Sequence, residues 1–212
     1  MSLKVWLPLD GDLRNLGCSN NTIINNGATI VTNGKIGSCY NFNGNGNYLL
    51  GNPAPLSNSS TEWSFCCWFK PNNSHNGTLF CNRTTVNSTG IMVLYYNSTF
   101  LIDDGGRWQP SSTSVQIGQW NHLAVTVKKN TGIYLYLNGS LLYSTTTTHT
   151  PTIANSTHFT IGGSQGTNTT ATGNWFNGQL NDVRIYDHCL SAVEVKEIAR
   201  GLVLHYKLDN II

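Results

Sequence analysis

The side chains that could act as general acids or bases are few in this chain of 212 residues. Its ten carboxylates belong to three Glu and seven Asp. Retaining glycoside hydrolysis needs two carboxyl groups about 5–5.5 Å apart, which alternate residues on one strand could provide. Glu194 and Glu197 fall in a predicted helix, whereas Glu62 precedes a predicted strand. Because no predicted strand carries a spaced pair, we expect no glycosidase.

Nucleophilic catalysis lacks its usual residues as well. The sequence has no Gly-x-Ser-x-Gly motif, no phosphate-binding loop and no dinucleotide-binding fingerprint. Its six His have no local partner pattern, and we predict His122 to be a surface residue on an exposed strand face. We therefore expect that the protein is not an enzyme and has a binding or structural role.

Aromatic and hydrogen-bonding side chains, which suit carbohydrate ligands, occur together in two loops. The richer loop runs from Asp103 to Gln109, and the other, with many Asn, Thr and Gly, from Asn168 to Trp175. The candidate ligand-binding residues are Asp103, Asp104, Arg107, Trp108, Trp175 and Tyr96. The alternative for Trp108 and Trp175 is that they pack as lids over an edge of their own fold.

The composition excludes several classes of protein. Charged residues make up 10% of the chain, far below the roughly 25% of an average soluble domain. A hydrophobic content of 39% supports a packed core and excludes disorder caused by charge repulsion. The net charge of +2, with no basic cluster larger than Lys128-Lys129, argues against nucleic-acid binding. No apolar stretch reaches the roughly 18 residues of a membrane span, so we expect no membrane insertion.

The six cysteines favour free thiols in a core over disulfides. A chain of this length does not need disulfides to fold, and the cysteine spacing matches no zinc motif. The adjacent Cys66 and Cys67 would point to opposite faces of a strand.

Short β-branched and aromatic runs, separated by Asn, Gly, Pro and Ser, predict more than ten strands. The clearest are residues 3–9, 38–50 (two strands around a turn at 43–46), 63–70, 90–96, 98–103, 120–128, 132–137, 141–145, 159–162 and 179–186. Asn138-Gly139 predicts a type I′ hairpin turn. One helix is predicted from residue 193 or 194 to Arg200, with a capping box formed by Ser191 and Glu194. We therefore predict an all-β fold, an antiparallel two-sheet jelly-roll sandwich with one short C-terminal helix.

We expect residues 1–201 to form one domain. Residues 202–210 resemble residues 3–11 in their alternation and in their closing Leu-Asp pair. We interpret residues 202–212 as a linker or as the first strand of a truncated second copy. The alternative is a C-terminal strand of the same sandwich.

Several segments follow one another in an order typical of a known family. They are residues 9–11, 34–38, 42–49, 63–71, 118–126, 135–139, 159–163 and 176–192. In this order and spacing, which include Gly118-Gln119-Trp120 and Leu137-Asn138-Gly139, the chain resembles the laminin-G-like branch of the concanavalin A-like lectin/glucanase superfamily. The resemblance implies an antiparallel jelly roll, in agreement with the strand pattern.

The same resemblance implies a structural calcium ion between the first-strand turn, the Gly-rich turn and the penultimate strand. Asp10, Asp12 and Asp182 are the carboxylates available there, with backbone carbonyls of residues 43–46, and such hard oxygen donors suit Ca²⁺. The alternative is that these are ordinary turn and surface acids.

We therefore expect a non-catalytic recognition module that binds carbohydrate or a host cell-surface polymer. The amide-rich surface, the suspected second copy and the absence of a leader-like segment favour a modular bacterial or bacteriophage protein. A phage virion protein, such as a tail or head fibre made in the bacterial cytoplasm, is the location we expect, with an extracellular or cell-surface location as the alternative. The competing function is a structural or adhesive spacer that assembles with other virion or surface-protein domains and binds no sugar.

Overall fold

The structure is a computed structural model, and it describes residues 2–84, 90–110, 113, 115–146, 153, 156–165 and 170–201. These residues contain seventeen strands and one helix. The strands are β1 (Leu3–Leu7), β2 (Thr22–Asn26), β3 (Thr29–Val31), β4 (Cys39–Asn43), β5 (Tyr48–Asn52), β6 (Glu62–Pro71), β7 (Gly77–Arg83), β8 (Gly90–Tyr96), β9 (Thr99–Asp103), β10 (Arg107–Trp108), β11 (Asn121–Lys128), β12 (Gly132–Leu137), β13 (Ser140–Thr146), β14 (Phe159–Ile161), β15 (Ser164–Gln165), β16 (Ala171–Gly173) and β17 (Asn177–Tyr186). The helix is α1 (Ala192–Ala199). The suspected second-copy strand at residues 202–212 lies outside the described residues and stays a prediction.

Two antiparallel sheets form a sandwich. One has eight strands in the order β13-β12-β11-β6-β17-β4-β3, with β1 also paired to β17. The other has seven strands in the order β10-β9-β8-β7-β14-β5-β2, and β15 and β16 form a separate two-stranded ribbon. This arrangement confirms the predicted all-β, two-sheet sandwich with one short C-terminal helix.

The core lies between the sheets because alternate strand residues are apolar. Val183 and Ile185 of β17 point into it, as the alternation predicts. Phe65 of β6 and Phe80 of β7 stack with ring centroids 5.3 Å apart, which joins the two sheets directly.

Of the two predicted turns, the one at Asn138-Gly139 joins paired strands and the one at residues 43–46 does not. Asn138 and Gly139 both have positive φ, 52° and 78°, and join β12 to β13 as the predicted hairpin. The turn at residues 43–46 joins β4 to β5, but these strands belong to different sheets. The chain therefore crosses from one sheet to the other at this turn, and β4 and β5 do not pair.

Helix α1 covers part of the outer face of the eight-stranded sheet. Val195 and Ile198 of the helix pack with Ala124, Tyr136 and Tyr186 of the sheet. The predicted capping box is confirmed, since the Ser191 hydroxyl accepts from the Glu194 backbone N–H and the Glu194 carboxylate accepts from the Ser191 backbone N–H. Across the described residues, helical segments are too short and too polar to cross a membrane.

All six cysteines are free, and four of them are buried, as the sequence predicts. Cys18 is exposed and Cys189 is only partly buried, so these two do not lie in a core. Cys66 packs beneath α1 and Cys67 packs in the core between the sheets, so the two point to opposite faces as expected. Burial raises the pKa of the Cys66 thiol to about 12 and that of Cys81 to about 11. These thiols are therefore protonated and unreactive at neutral pH.

The prediction that His122 is exposed is wrong. His122 is fully buried, and its ring lies edge-on to Trp68 with centroids 5.2 Å apart. Its strand face is the outer one, but that face is covered here, since the Lys35 ammonium lies 4.4 Å from the centroid of the Trp68 ring. Strand alternation identifies the outer face without showing whether another segment covers it.

Candidate functional site

The outer face of the seven-stranded sheet carries most of the residues that the sequence singled out for ligand binding. Residues directly opposite each other on antiparallel strands share a face. The pairs Ile24–Leu50 and Met92–Asp103 therefore belong to this outer face together. Helix α1 lies on the other sheet. The middle of this face is nevertheless covered, since Cys81, Met92 and Leu101 are buried and Ser164 of β15 lies against Met92.

Asp103 and Arg107 lie in a charged group near the β10 edge of this face. A carboxylate oxygen of Asp103 lies 2.7 Å from Nη2 of Arg83, which is itself largely buried. Arg107 is opposite Asp103 in the β9–β10 pair and is exposed. The Asp103 carboxylate is thus held in an ion pair, and the Arg107 guanidinium faces solvent.

Trp108 and Asp104 are turned towards the core instead. Trp108 is opposite the core residue Ile102, and its partly buried ring packs against the main core. Its indole N–H donates to Oδ1 of the fully buried Asp104 at 3.0 Å. Trp108 therefore packs as a lid at the edge of the sandwich, which is the alternative the sequence left open.

Tyr96 lies at the end of β8 and is partly exposed. Its neighbour Tyr95 is buried in the core, so the two rings do point to opposite faces. Tyr96 packs against a small apolar cluster on the outer face made of Cys81, Met92, Leu94 and Leu101. Much of the ring is therefore engaged in packing.

Trp175 forms an aromatic pair with Tyr48, which sequence reasoning missed. The ring centroids are 5.8 Å apart with an angle of 31° between the planes, and both side chains are partly exposed. Gly163 lies against the indole, since a Cβ there would come within 2.7 Å of the ring. Tyr48 begins β5 and alternates with the core residue Leu49, a signal that could have identified it as outward-facing.

An asparagine precedes each ring of the Tyr48–Trp175 pair in the sequence. Asn174 precedes Trp175, is exposed, and donates through Nδ2 to the Ser164 hydroxyl at 3.0 Å. Asn47 precedes Tyr48, and its side-chain oxygen accepts from the Asn43 backbone N–H at 3.1 Å. The pair thus offers flat apolar rings beside uncharged donors and acceptors, the combination that suits a neutral sugar ring.

The structure does not bring the two predicted tryptophans together. Trp108 is on β10, at one edge of the seven-stranded sheet, and Tyr48 is on β5, five strand positions away. At a strand spacing of about 4.8 Å these positions are about 24 Å apart. One small ligand cannot contact both the Trp108 loop and the Tyr48–Trp175 pair.

The three predicted calcium ligands are not assembled into one donor set. Asp12 is paired with Arg14, whose Nε lies 2.5 Å from its carboxylate. Oδ1 of the buried Asp182 accepts from the Trp6 indole at 2.7 Å and from Nε of Arg184 at 2.9 Å. In the part of the chain that the structure describes, no three His, Cys, Asp or Glu side chains are grouped to hold a metal ion. Calcium binding at this turn stays a prediction.

Asn181, next to Asp182, joins β17 to two loops that are distant in sequence. Its amide nitrogen donates to the carbonyls of Pro8 at 2.7 Å and Ser38 at 3.0 Å. Its amide oxygen accepts from the Ile36 backbone N–H at 2.7 Å. One buried side chain therefore ties β17 to the turn after β1 and to the Gly-rich loop at residues 34–38.

Residues 42–196 match the Laminin_G_3 family model, which is described as concanavalin A-like lectin/glucanases superfamily. Because the match covers well over half of the chain, the protein belongs to this family. No curated protein is detectably similar to the chain in sequence.

Several solved structures share the fold. Domain 4 of AbnA, a GH43 extracellular arabinanase from Geobacillus stearothermophilus solved in complex with arabinotriose, is 21% identical, with a TM-score of 0.70 over 93% of this chain and 98% of that one. The binding domain of Paraclostridial Mosquitocidal Protein 1 is 16% identical, with a TM-score of 0.76 over 94% of this chain and 52% of that one. The binding domain of Botulinum Neurotoxin DC, solved in complex with SialylT, is 12% identical, with a TM-score of 0.70 over 95% and 51%. The chain thus spans about half the length of these toxin domains, and at these identities the similarity establishes the fold alone.

Proposed function

We propose that this protein is a non-catalytic glycan-recognition module that binds a neutral sugar at the Tyr48–Trp175 pair. The observation that carries the proposal is this partly exposed aromatic pair, whose rings directly follow Asn47 and Asn174 in the sequence. Sugar C–H faces pack on aromatic rings, and amides exchange hydrogen bonds with sugar hydroxyls. The charged groups of Arg83, Asp103 and Arg107 lie near the β10 edge, so the site we propose is suited to an uncharged ligand.

The ligands of two proteins with the same fold support the same class of function. The arabinanase domain was solved with arabinotriose, and the botulinum neurotoxin domain with SialylT. The proposal that the module is non-catalytic is supported by the ion pairs and hydrogen bonds of several carboxylates. Glu62 pairs with Lys128, Glu194 caps α1, and Asp103 pairs with Arg83, so these carboxylates have structural partners.

Replacing Trp175 by Ala tests the site. We expect the mutation to weaken binding to glycans selected on an array about tenfold, because a ring–sugar contact contributes about 1.4 kcal/mol. Tyr48→Ala is expected to act in the same direction. The matched control is Tyr96→Ala, which removes a ring from the same sheet, three strand positions from Tyr48.

The measurement is titration calorimetry with the best array ligand, together with circular dichroism to verify folding. Wild-type affinity in folded Trp175→Ala and Tyr48→Ala variants would contradict this site. Loss of binding in Tyr96→Ala alone would indicate that the sugar binds near β8 instead.

A structural or adhesive spacer is the second candidate function. Ile24 on β2 and Ile30 on β3 are 52% and 50% exposed, and these strands form edges of the two sheets. Exposed apolar edge strands favour pairing with another chain. A protein that binds no array glycan, but whose self-association or assembly is lost in Ile24→Lys, would be a spacer.

We further propose that the module works in a bacteriophage virion, in a tail or head fibre made in the bacterial cytoplasm, with a bacterial cell surface as the alternative. The six free cysteines support synthesis in a reducing compartment. Detection of the chain by mass spectrometry in purified virions of its source would support this location, and detection only in cell-surface fractions would support the alternative.

A further inference from the structure

The outer surface of β5 and β2 continues along the seven-stranded sheet from the Tyr48–Trp175 pair. Residues directly opposite each other on antiparallel strands share a face, and so do alternate residues of one strand. Three opposed pairs of side chains therefore lie together on the outer face. These pairs are Tyr48–Asn26, Leu50–Ile24 and Asn52–Thr22, and we call the surface that they form the β5–β2 shelf.

Most of the β5–β2 shelf is accessible. Thr22 and Asn52 are exposed at one end, and Tyr48 is partly exposed at the other. In the middle Ile24 is 52% exposed, whereas its partner Leu50 is buried. The shelf thus presents a carbon surface between an aromatic ring and uncharged hydrogen-bonding groups. This sequence of groups suits the C–H faces and hydroxyl rims of successive sugar units.

The aromatic pair lies at one end of the shelf. Strand β14 is antiparallel to β5, and Gly163, which packs against the Trp175 ring, follows the end of β14. The chain at Gly163 is therefore beside the start of β5, where Tyr48 lies. Strand β5 has five residues, so Tyr48 and Asn52 are about 14 Å apart at about 3.4 Å per residue. Because a sugar ring is about as wide as an aromatic ring, this length has room for roughly three units.

The shelf and the sequence around it are almost free of charge. Between residues 15 and 61 the only Asp, Glu, Lys, Arg or His is Lys35. The Lys35 ammonium lies over Trp68 on the other sheet. The ion pair of Asp103 with Arg83 is near the β10 edge, at the opposite side of the seven-stranded sheet from β2. An ionic ligand on the shelf would therefore lose water without gaining a partner of opposite charge.

We propose that the ligand is the interior of a linear, uncharged glycan, bound along the β5–β2 shelf with one unit stacked on the Tyr48–Trp175 pair. The inference rests on the proposed function, since that pair binds the first unit. A terminal monosaccharide would use the aromatic pair alone, whereas a longer chain also contacts Ile24. Ile24 is therefore the residue that makes affinity depend on chain length.

Titration calorimetry with cello-, xylo-, manno- and malto-oligosaccharides, from mono- to pentasaccharide, tests the proposal. In the series that binds best, we expect the tetrasaccharide to bind about tenfold more tightly than the disaccharide. Ile24→Ala should weaken binding of the tetrasaccharide about fivefold and leave the disaccharide unchanged. Trp175→Ala should weaken binding of both.

The matched control is Ile30→Ala, with circular dichroism to verify folding of each variant. Ile30 is 50% exposed on the edge strand β3 of the other sheet, so its replacement should change neither affinity. Equal wild-type affinities for the two lengths, or no effect of Ile24→Ala on the tetrasaccharide, would overturn this inference and leave the Tyr48–Trp175 site in place. Tighter binding of oligogalacturonates than of every neutral series would also overturn it. Unchanged binding of both lengths by folded Trp175→Ala, or no binding of any series by the wild type, would count against the proposed function itself.

Discussion

Arg184 links several buried polar groups on the outer face of the eight-stranded sheet. Its guanidinium pairs with Asp182 and lies 4.8 Å from the centroid of the Trp6 ring. It is only 5% exposed, so removing Asp182 would leave a buried charge unpaired. The positive charge of Arg184 also acts on His122, whose two ring nitrogens have no hydrogen-bond partners.

His122 is expected to make the protein sensitive to acid. Burial, with a further contribution from the charge of Arg184, lowers the pKa of His122 to about 3. Between pH 6.5 and 3 the unfolded chain takes up a proton that the folded chain does not, so stability falls as pH falls. When the pH falls from 6.5 to 4.5, the free energy of unfolding of His122→Phe should therefore decrease by about 2 kcal/mol less than that of the wild type. The measurement is the midpoint of urea unfolding at several pH values in this range. The same pH dependence in His122→Phe and wild type would contradict the prediction. His75→Phe, at an exposed site, is the control.

Asn181 is expected to be a key residue for stability. Its replacement by Ala removes three hydrogen bonds. The Ser38 carbonyl and the Ile36 backbone N–H lose this partner, whereas the Pro8 carbonyl keeps the Asp182 backbone N–H. We expect a loss of about 3 kcal/mol in the free energy of unfolding, measured by denaturant titration. Asn73→Ala, which removes one exposed local bond, should change stability by less than about 0.5 kcal/mol. An Asn181→Ala protein as stable as the control would show that water replaces these bonds.

Secondary-structure elements show most clearly what local sequence patterns can predict. The capping box at Ser191 and the hairpin turn at Asn138-Gly139 depend on neighbouring residues, and both were predicted correctly. The pairing of β4 with β17 and of β5 with β14 depends on contacts between distant segments. Local patterns contain no information on such pairings, so the strand order could not be predicted.

The capping box makes a measurable contribution to helix α1. Ser191→Ala removes the acceptor for the Glu194 backbone N–H at the exposed start of the helix. We expect a loss of about 1 kcal/mol and faster hydrogen exchange in residues 192–199. Ser74→Ala in an exposed loop is the control. Unchanged exchange in α1 would mean that packing of Val195 and Ile198 alone holds the helix.

At the scale of the whole molecule, the fold could be predicted from sequence and the candidate site only in part. Alternation along the strands and the order of family-like segments were sufficient for the sandwich. Trp175 was identified as a candidate, but its partner Tyr48 is far away in the sequence. Pairings between distant strands, β5 with β14 and β4 with β17, bring the two together. Trp108 looked equivalent to Trp175 in composition, yet the β9–β10 register turns it into the core.

Strand β17 has a consequence for how the protein is made. It is hydrogen-bonded to β1, β4 and β6, three strands that the ribosome produces much earlier. Until residue 186 has left the exit tunnel, β1 has no β17 to pair with and the apolar side of β4 and β6 stays incompletely covered. Folding of this sandwich therefore has to wait for late synthesis, and the edges of β1, β4 and β6 stay unpaired until then.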